Sequence, residues 1–159
     1  MVVVLLAVAI AALTACGPRP VYDHYEHVQQ DGWEKADTLF FDLPVITTTG
    51  RYRVDIGLRT VEDYPFTGLN LRVEQRVSRR DTATADTTIT IVNSYTLQCR
   101  LATAQGRAGG RGISHYQYEF PLTEQTLMQH DSVRFIIRHN MKREMLPGVA
   151  DIGVKLTRK

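Results

Sequence analysis

The segment Arg51-Tyr52-Arg53-Val54-Asp55-Ile56-Gly57-Leu58-Arg59 alternates apolar and polar positions from end to end. Successive side chains of an extended chain point to opposite sides, so Tyr52, Val54, Ile56 and Leu58 share one face and Arg51, Arg53, Asp55 and Arg59 the other. Such a segment is a half-buried antiparallel strand. The same period of two recurs in Leu69, Leu71 and Val73, in Ile89 and Ile91, in Tyr116, Tyr118 and Phe120, in Val133, Phe135 and Ile137, and in Ile152, Val154 and Leu156. With Leu39 to Val45 and Tyr95 to Leu101, about eight strands follow. Turn formers separate them: Thr47-Thr48-Thr49-Gly50, Tyr64-Pro65, Asn93-Ser94, the run Gly106 to Gly112, and Pro147-Gly148. Thr123 to His130 has room for one short helical turn. The pattern predicts an all-β fold, an antiparallel two-sheet β-sandwich of immunoglobulin-like or jelly-roll-like form, with a small closed barrel as the alternative.

Ahead of these strands stands a different kind of sequence. Met1 to Leu13 is an apolar run, and Leu13-Thr14-Ala15-Cys16 resembles a lipobox, with small side chains before the cut and a thiol to carry the lipid after it. The run is shorter than the about 20 residues needed to span about 30 Å of hydrocarbon. No Lys or Arg precedes it, so a start further upstream is expected. The expected division is a signal peptide over 1–15, a lipidated Cys16 with an extended tether over 16–32, and one β-sandwich domain over 33–159. Within the tether, Gly17-Pro18-Arg19-Pro20 forms a stiff spacer that lifts the folded part off the bilayer. Two or three acyl chains, at about 0.8 kcal/mol per buried CH₂, make such an anchor effectively permanent.

Composition narrows the chemistry. Hydrophobic residues make up 43% and charged residues 23%, and the formal charge is +2, too small and too scattered to argue for nucleic acid. Of the two cysteines, Cys16 is assigned to lipid, which leaves Cys99 as a buried small hydrophobe between Leu97 and Leu101. His24 and His27 stand three apart with no third ligand at metal spacing, so neither metal nor cofactor is expected. Tyr22, Tyr25 and Val28 recur at helix-like spacing in a segment that reads as irregular. Trp33 is the sole tryptophan, read first as a buried anchor and second as a stacking platform. Ser114 and His115 adjoin, but strand neighbours face opposite ways and cannot pair as nucleophile and base. With no other catalytic motif, the chain is not expected to be an enzyme. The glycine-rich stretch from Gly106 to Gly112 is followed by a strand and not by a helix, so it is a hairpin and not a phosphate cradle.

One set of residues carries a family resemblance. The order runs from the lipobox through Gly32-Trp33, a Phe40 strand, Leu58-Arg59, Tyr64-Pro65-Phe66, Asn70-Leu71 and a glycine-rich hairpin. It ends with His139-Asn140-Met141-Lys142-Arg143 and the block from Leu146 to Val154. This order resembles the gliding-motility lipoprotein GldH family of Bacteroidetes over nearly the whole mature chain. Departures are Met141-Lys142-Arg143 and Val149 in the C-terminal block, and Arg107-Ala108 where the family has a tryptophan between its hairpin glycines.

The resemblance implies a non-catalytic lipoprotein that meets the membrane through its N-terminal lipid and meets envelope or motility proteins through its domain. The spacer lacks an acidic cluster resembling the surface-export signal of this phylum, so the periplasmic face is expected. Candidate contact residues are Trp33, Arg59, Tyr64, Pro65, Phe66, Asn70, Met141 and Arg143. Tyr64-Pro65-Phe66 is either a corner plug or an exposed anchor, and Arg59 either binds Asp63 or a partner carboxylate or simply lies on a solvated face. Arg79 to Thr88 reads as a mobile hairpin end, and its Asp81-Thr82-Ala83 and Asp86-Thr87-Thr88 resemble O-glycosylation acceptors, at Thr82 and Thr87. The alternative function is a lipidated carbohydrate-binding sandwich, which requires a row of exposed aromatics; a hydrolase requires close carboxylates in a pocket.

Overall fold

A computed structural model describes residues 19–80, 87–103, 107–112 and 114–159; Cys16 and Thr82 lie outside them. Ten strands follow in chain order: β1 (Pro20–His27), β2 (Trp33–Glu34), β3 (Leu39–Asp42), β4 (Gly50–Val61), β5 (Gly68–Arg80), β6 (Thr88–Arg100), β7 (His115–Leu127), β8 (Ser132–His139), β9 (Met145–Leu146) and β10 (Val149–Arg158). Two four-stranded antiparallel sheets, ordered β1-β10-β4-β7 and β3-β8-β5-β6, carry the fold, and β2 pairs with β9 as a short clip. This is an antiparallel β-sandwich, with the strand order of a jelly roll, in which first and last strands lie side by side.

Alternation explains the core. On β4 the face bearing Tyr52, Val54, Ile56 and Leu58 is sealed, and it meets Leu69, Leu71, Val73, Phe135 and Ile137 from the other sheet and Ile152, Val154 and Leu156 from β10. β10 lies between β1 and β4, so both its edges are paired and its apolar residues fill the middle of the sandwich. A glutamine also sits in this core: Gln75 of β5 is fully buried, and its Oε1 accepts from Tyr95 Oη and Asn93 Nδ2, each at 3.3 Å.

Four local expectations are corrected. The tether expected to reach residue 32 is shorter, because Pro20–His27 is an edge strand whose residues pair with Thr157 through Asp151. Its tyrosines follow helix-like spacing because they serve different surroundings: Tyr22 packs on the core, whereas Tyr25 lies on the outer face. Asn93-Ser94 is no turn, since β6 runs unbroken from Thr88 to Arg100 in register with β5. Thr123 to Leu127 is strand and not helix, held against β4 past a bulge at Val54/Asp55.

The two ends of the sandwich differ. At one end lie the start of β1, the end of β10, the loop before β4 and the turn after β7, and there the buried carboxylate of Asp131 ties that turn to the end of β5. Asp131 accepts Arg79 Nε at 2.6 Å and Nη2 at 2.7 Å, and the Met128 N–H at 2.8 Å. At the opposite end lie the clip, the β4–β5 turn, the β8–β9 loop and the described part of the glycine-rich hairpin, which bridges to Ala102 and Gln117.

Candidate interaction surface

The opposite end gathers most of the residues singled out in the sequence. In the turn between β4 and β5, Tyr64 and Phe66 meet edge to face at 5.5 Å, and Pro65 between them is exposed. Both rings pack on the core, and Tyr64 Oη donates to the Gly68 carbonyl at 3.2 Å, so the triad plugs a corner while showing solvent its rigid bend. Burial drives the Tyr64 phenol far above its usual range, so it stays neutral. Gly148 adopts φ +83° in the turn that follows the clip, and a Cβ there would come within 3.1 Å of Tyr64. A positive φ and this contact together explain a glycine after Pro147.

A second segment closes on this corner. The Arg143 guanidinium stands over the Phe66 ring at 5.4 Å, a cation–π geometry. Asn140 N–H donates to the Asn70 carbonyl at 2.7 Å, and Asn70 N–H reaches Met141 Sδ at 3.4 Å. Tyr64, Phe66, Asn70, Met141 and Arg143 thus form one surface from two segments distant in sequence. Beneath it a cavity of about 270 Å³ runs between Tyr64, Phe66, Ala108, Tyr116 and Tyr118. Gly110 touches this wall: a Cβ on it would lie 2.7 Å from Tyr118.

Trp33 and Arg59 are placed elsewhere. Trp33 is 1% exposed, so a contact or platform role is excluded, and it is the buried anchor behind the corner. Its ring meets His139 edge to face at 5.4 Å, and its Nε1 donates to the Asp37 carbonyl at 3.2 Å. His139 Nε2–H donates to the Trp33 carbonyl at 3.1 Å while Nδ1 accepts the Met141 N–H at 3.3 Å, which fixes the neutral tautomer. Burial pushes the His139 pKa down, against the backbone contact to Trp33. Arg59 does not meet Asp63. It lies 3.9 Å over the Tyr25 ring and 3.6 Å from Asp151, which also meets His27 Nδ1 at 3.1 Å. Asp151 therefore serves these two side chains.

The sequence reading missed Tyr25. Its ring lies flat on two backbones: a Cβ on Gly153 would meet Tyr25 Cδ1 at 2.7 Å, and one on Gly57 would meet the phenol oxygen. A glycine at the same register on two paired strands is the signal that predicts a ring laid across both.

Cys99 is 2% exposed, and burial pushes its thiol up to about 12. His24 pairs with Glu26 at 3.0 Å and His27 with Asp151, and the described residues contain no group of three metal-ligating side chains. Ser114 is outside β7 and His115 is its first residue; Thr87 is exposed. No helix of the described residues is long and apolar enough to cross a membrane.

Comparison with known proteins matches residues 20–156 to the family model of the GldH lipoprotein. The gliding motility lipoprotein GldH of Flavobacterium johnsoniae is 26% identical over 168 residues, covering 98% of this chain and 95% of that protein. Among solved structures, one from Sulfurospirillum deleyianum has a TM-score of 0.48 at 11% identity, covering 87% of this chain and 99% of that one. A domain of a family GH115 4-O-methyl-alpha-glucuronidase with specificity for decorated arabinogalactans has a TM-score of 0.42 at 14% identity, covering 91% of this chain and 18% of that one. Neither bears on the activity of this chain. The match over residues 20–156 establishes that the chain belongs to the GldH lipoprotein family.

Proposed function

We propose that this protein is held at the periplasmic face of the envelope by acyl chains on Cys16, and that its sandwich is a non-catalytic docking module for other proteins of the gliding and envelope machinery. The corner of Tyr64, Pro65, Phe66, Asn70, Met141 and Arg143 is the contact surface. The observation that carries this reading is the convergence itself: an exposed proline between two part-buried rings, capped by an arginine from a separate loop. Aromatic and arginine side chains on a rigid frame are the usual anchors of protein contacts. Whether motility is the outcome depends on the host, since the docking role asks only for an envelope partner. Thr87 is available for O-glycosylation by its exposure, and Thr82 is proposed with it on sequence alone.

Among the described residues the row of exposed aromatics that the carbohydrate alternative requires is not formed, Phe40 standing alone at 54% exposed. Tyr118 and Phe120 stack nearly parallel at 6.1 Å, but Tyr118 is 9% exposed and both face the sandwich interior.

Palmitate labelling of the wild type and of Cys16→Ala, combined with photo-crosslinking from position 65 in whole cells, tests the reading. Label lost in the variant together with envelope proteins crosslinked from the corner is the expected result. Label retained by Cys16→Ala removes the anchor, and no protein crosslink from position 65 removes the corner.

A further inference from the structure

The chain leaves the sandwich at the end opposite the corner, and that end has its own character. Only Gly17, Pro18 and Arg19 lie between Cys16 and the first residue of β1. Four residue steps of extended chain span at most about 14 Å, and the headgroup layer on each side of a bilayer takes up about 5–8 Å of that. A lipid on Cys16 therefore keeps the start of β1 within about 10 Å of the headgroup surface, so the spacer expected to lift the domain off the bilayer holds it close instead.

What this end presents is apolar. Val21 (43%), Val45 (54%), Ile89 (50%) and Met128 (45%) are exposed here, half of the eight large hydrophobics that the described residues leave open to solvent. The pairings place them together. Pro20 opposes Thr157 at the end of β10, and the Lys159 N–H donates to the Arg51 carbonyl at the start of β4. Gly50 opposes Leu127, which puts Met128 in the adjoining turn. The Ile46 N–H donates to the Asp131 carbonyl, bringing in Val45, and Arg79, which holds Asp131, opposes Ile89. Among the described residues Arg19 and Arg158, also exposed at this end, take part in no ion pair.

From the short spacer and the apolar end together, we propose that this end is a lipid-docking surface, with Val21, Val45, Ile89 and Met128 seated at the acyl–headgroup boundary and the basic side chains among the headgroups. Apolar tips with basic side chains beside them are what an interfacial element needs, and a tether of this length keeps them at high effective concentration beside the bilayer. The corner is thereby aimed away from the membrane, toward a partner. This inference rests on the lipidated Cys16 of the proposed function.

The test uses the lipidated full chain in nanodiscs containing doxyl-labelled lipid. A bimane fluorophore is attached at Met128→Cys or, on the opposite end, at Met145→Cys, and palmitate on Cys16 is measured in the same samples. A second pair of variants carries a Gly-Ser insertion of about twelve residues after Gly17, long enough to release the domain. The expected result is quenching of several fold at position 128 and little at 145, persisting with the long tether. Absence of palmitate sinks the anchor and the docking surface together. Palmitate present with equal quenching at 128 and 145, or with quenching at 128 lost on lengthening the tether, overturns the docking surface alone.

Discussion

His139 is buried with both ring nitrogens engaged, Nδ1 as an acceptor, which is possible only for the neutral ring. Its pKa in the folded protein lies below the ordinary 6.5 because burial disfavours the charge. The unfolded chain thus takes up the proton first as pH falls. This contribution to stability is fully present above about pH 6.5 and declines as pH drops from there toward the folded-state value. Urea unfolding followed at intervals from pH 8 to 5 should show the decline, and His139→Gln should flatten it; an unchanged slope in the variant excludes His139 as the cause. Cys99 obeys the same logic with the opposite group. A thiol raised to about 12 is protonated at pH 8, so a thiol reagent should leave it unmodified until denaturant is added. The alternation of Leu97, Cys99 and Leu101 already places this thiol in the core, whereas Tyr25 escapes sequence reading because its neighbours are backbones. Adding a methyl group tests that arrangement. Gly153→Ala should cost about 1–3 kcal/mol by lifting the ring from under Arg59, and far less in a Tyr25→Ala background, because the clash is then gone.

At the scale of elements, the ion pair between Arg79 on β5 and Asp131 in the turn before β8 locks the apolar end. Asp131 is fully buried, whereas the Arg79 side chain is 34% exposed, so the two partners differ in what their loss leaves behind. Burial alone would raise the Asp131 pKa, but the Arg79 hydrogen bonds, the Met128 N–H and the arginine charge outweigh it and hold it below the usual 3.8. Arg79→Ala strands a buried carboxylate and should cost about 3–5 kcal/mol, while Asp131→Asn, which keeps part of the hydrogen bonding, should cost about 1–3 kcal/mol. The wild-type pair contributes above the ordinary carboxylate pKa and is lost as pH falls through the depressed one. Acid titration of stability in the two variants reads this directly, and equal costs would show that solvent reaches Asp131. Apart from the start of β6, where Ile89 and Ile91 alternate yet are half exposed, the strands with clean alternation were legible in the sequence because one of their faces is core. The others were not. Asn93-Ser94 carries turn formers, yet Asn93 stays in the ladder beside Gln75, where its side chain has an acceptor. β1 lies at an edge with both faces half-open, so no period of two was imposed on it.

At the scale of the whole molecule, periodicity states which residues face inward but not which strand lies beside which, and so the jelly-roll order was beyond it. The same limit hid the corner, whose members come from the β4–β5 turn, β5 and the loop before β9. The order itself makes a prediction, because β1 and β10 are neighbours with unequal standing. β10 is paired on both edges and buries Ile152, Val154 and Leu156, so ending the chain at residue 148 removes two ladders and leaves the apolar faces of β4 and β5 open to water. Domains are stable by only about 5–15 kcal/mol, and a loss of this size exceeds that margin. β1 is paired on one edge and contributes the half-buried Tyr22 and Tyr25, so a chain beginning at residue 28 keeps Val28 in the core and gives up one ladder. The shorter chain without β1 should therefore retain its β-sheet circular dichroism and unfold cooperatively at lower urea, while the chain without β10 should show no cooperative transition. A cooperative transition in the latter would mean that β1 can close onto β4 in place of β10, and that the central position of the last strand is not required for the fold.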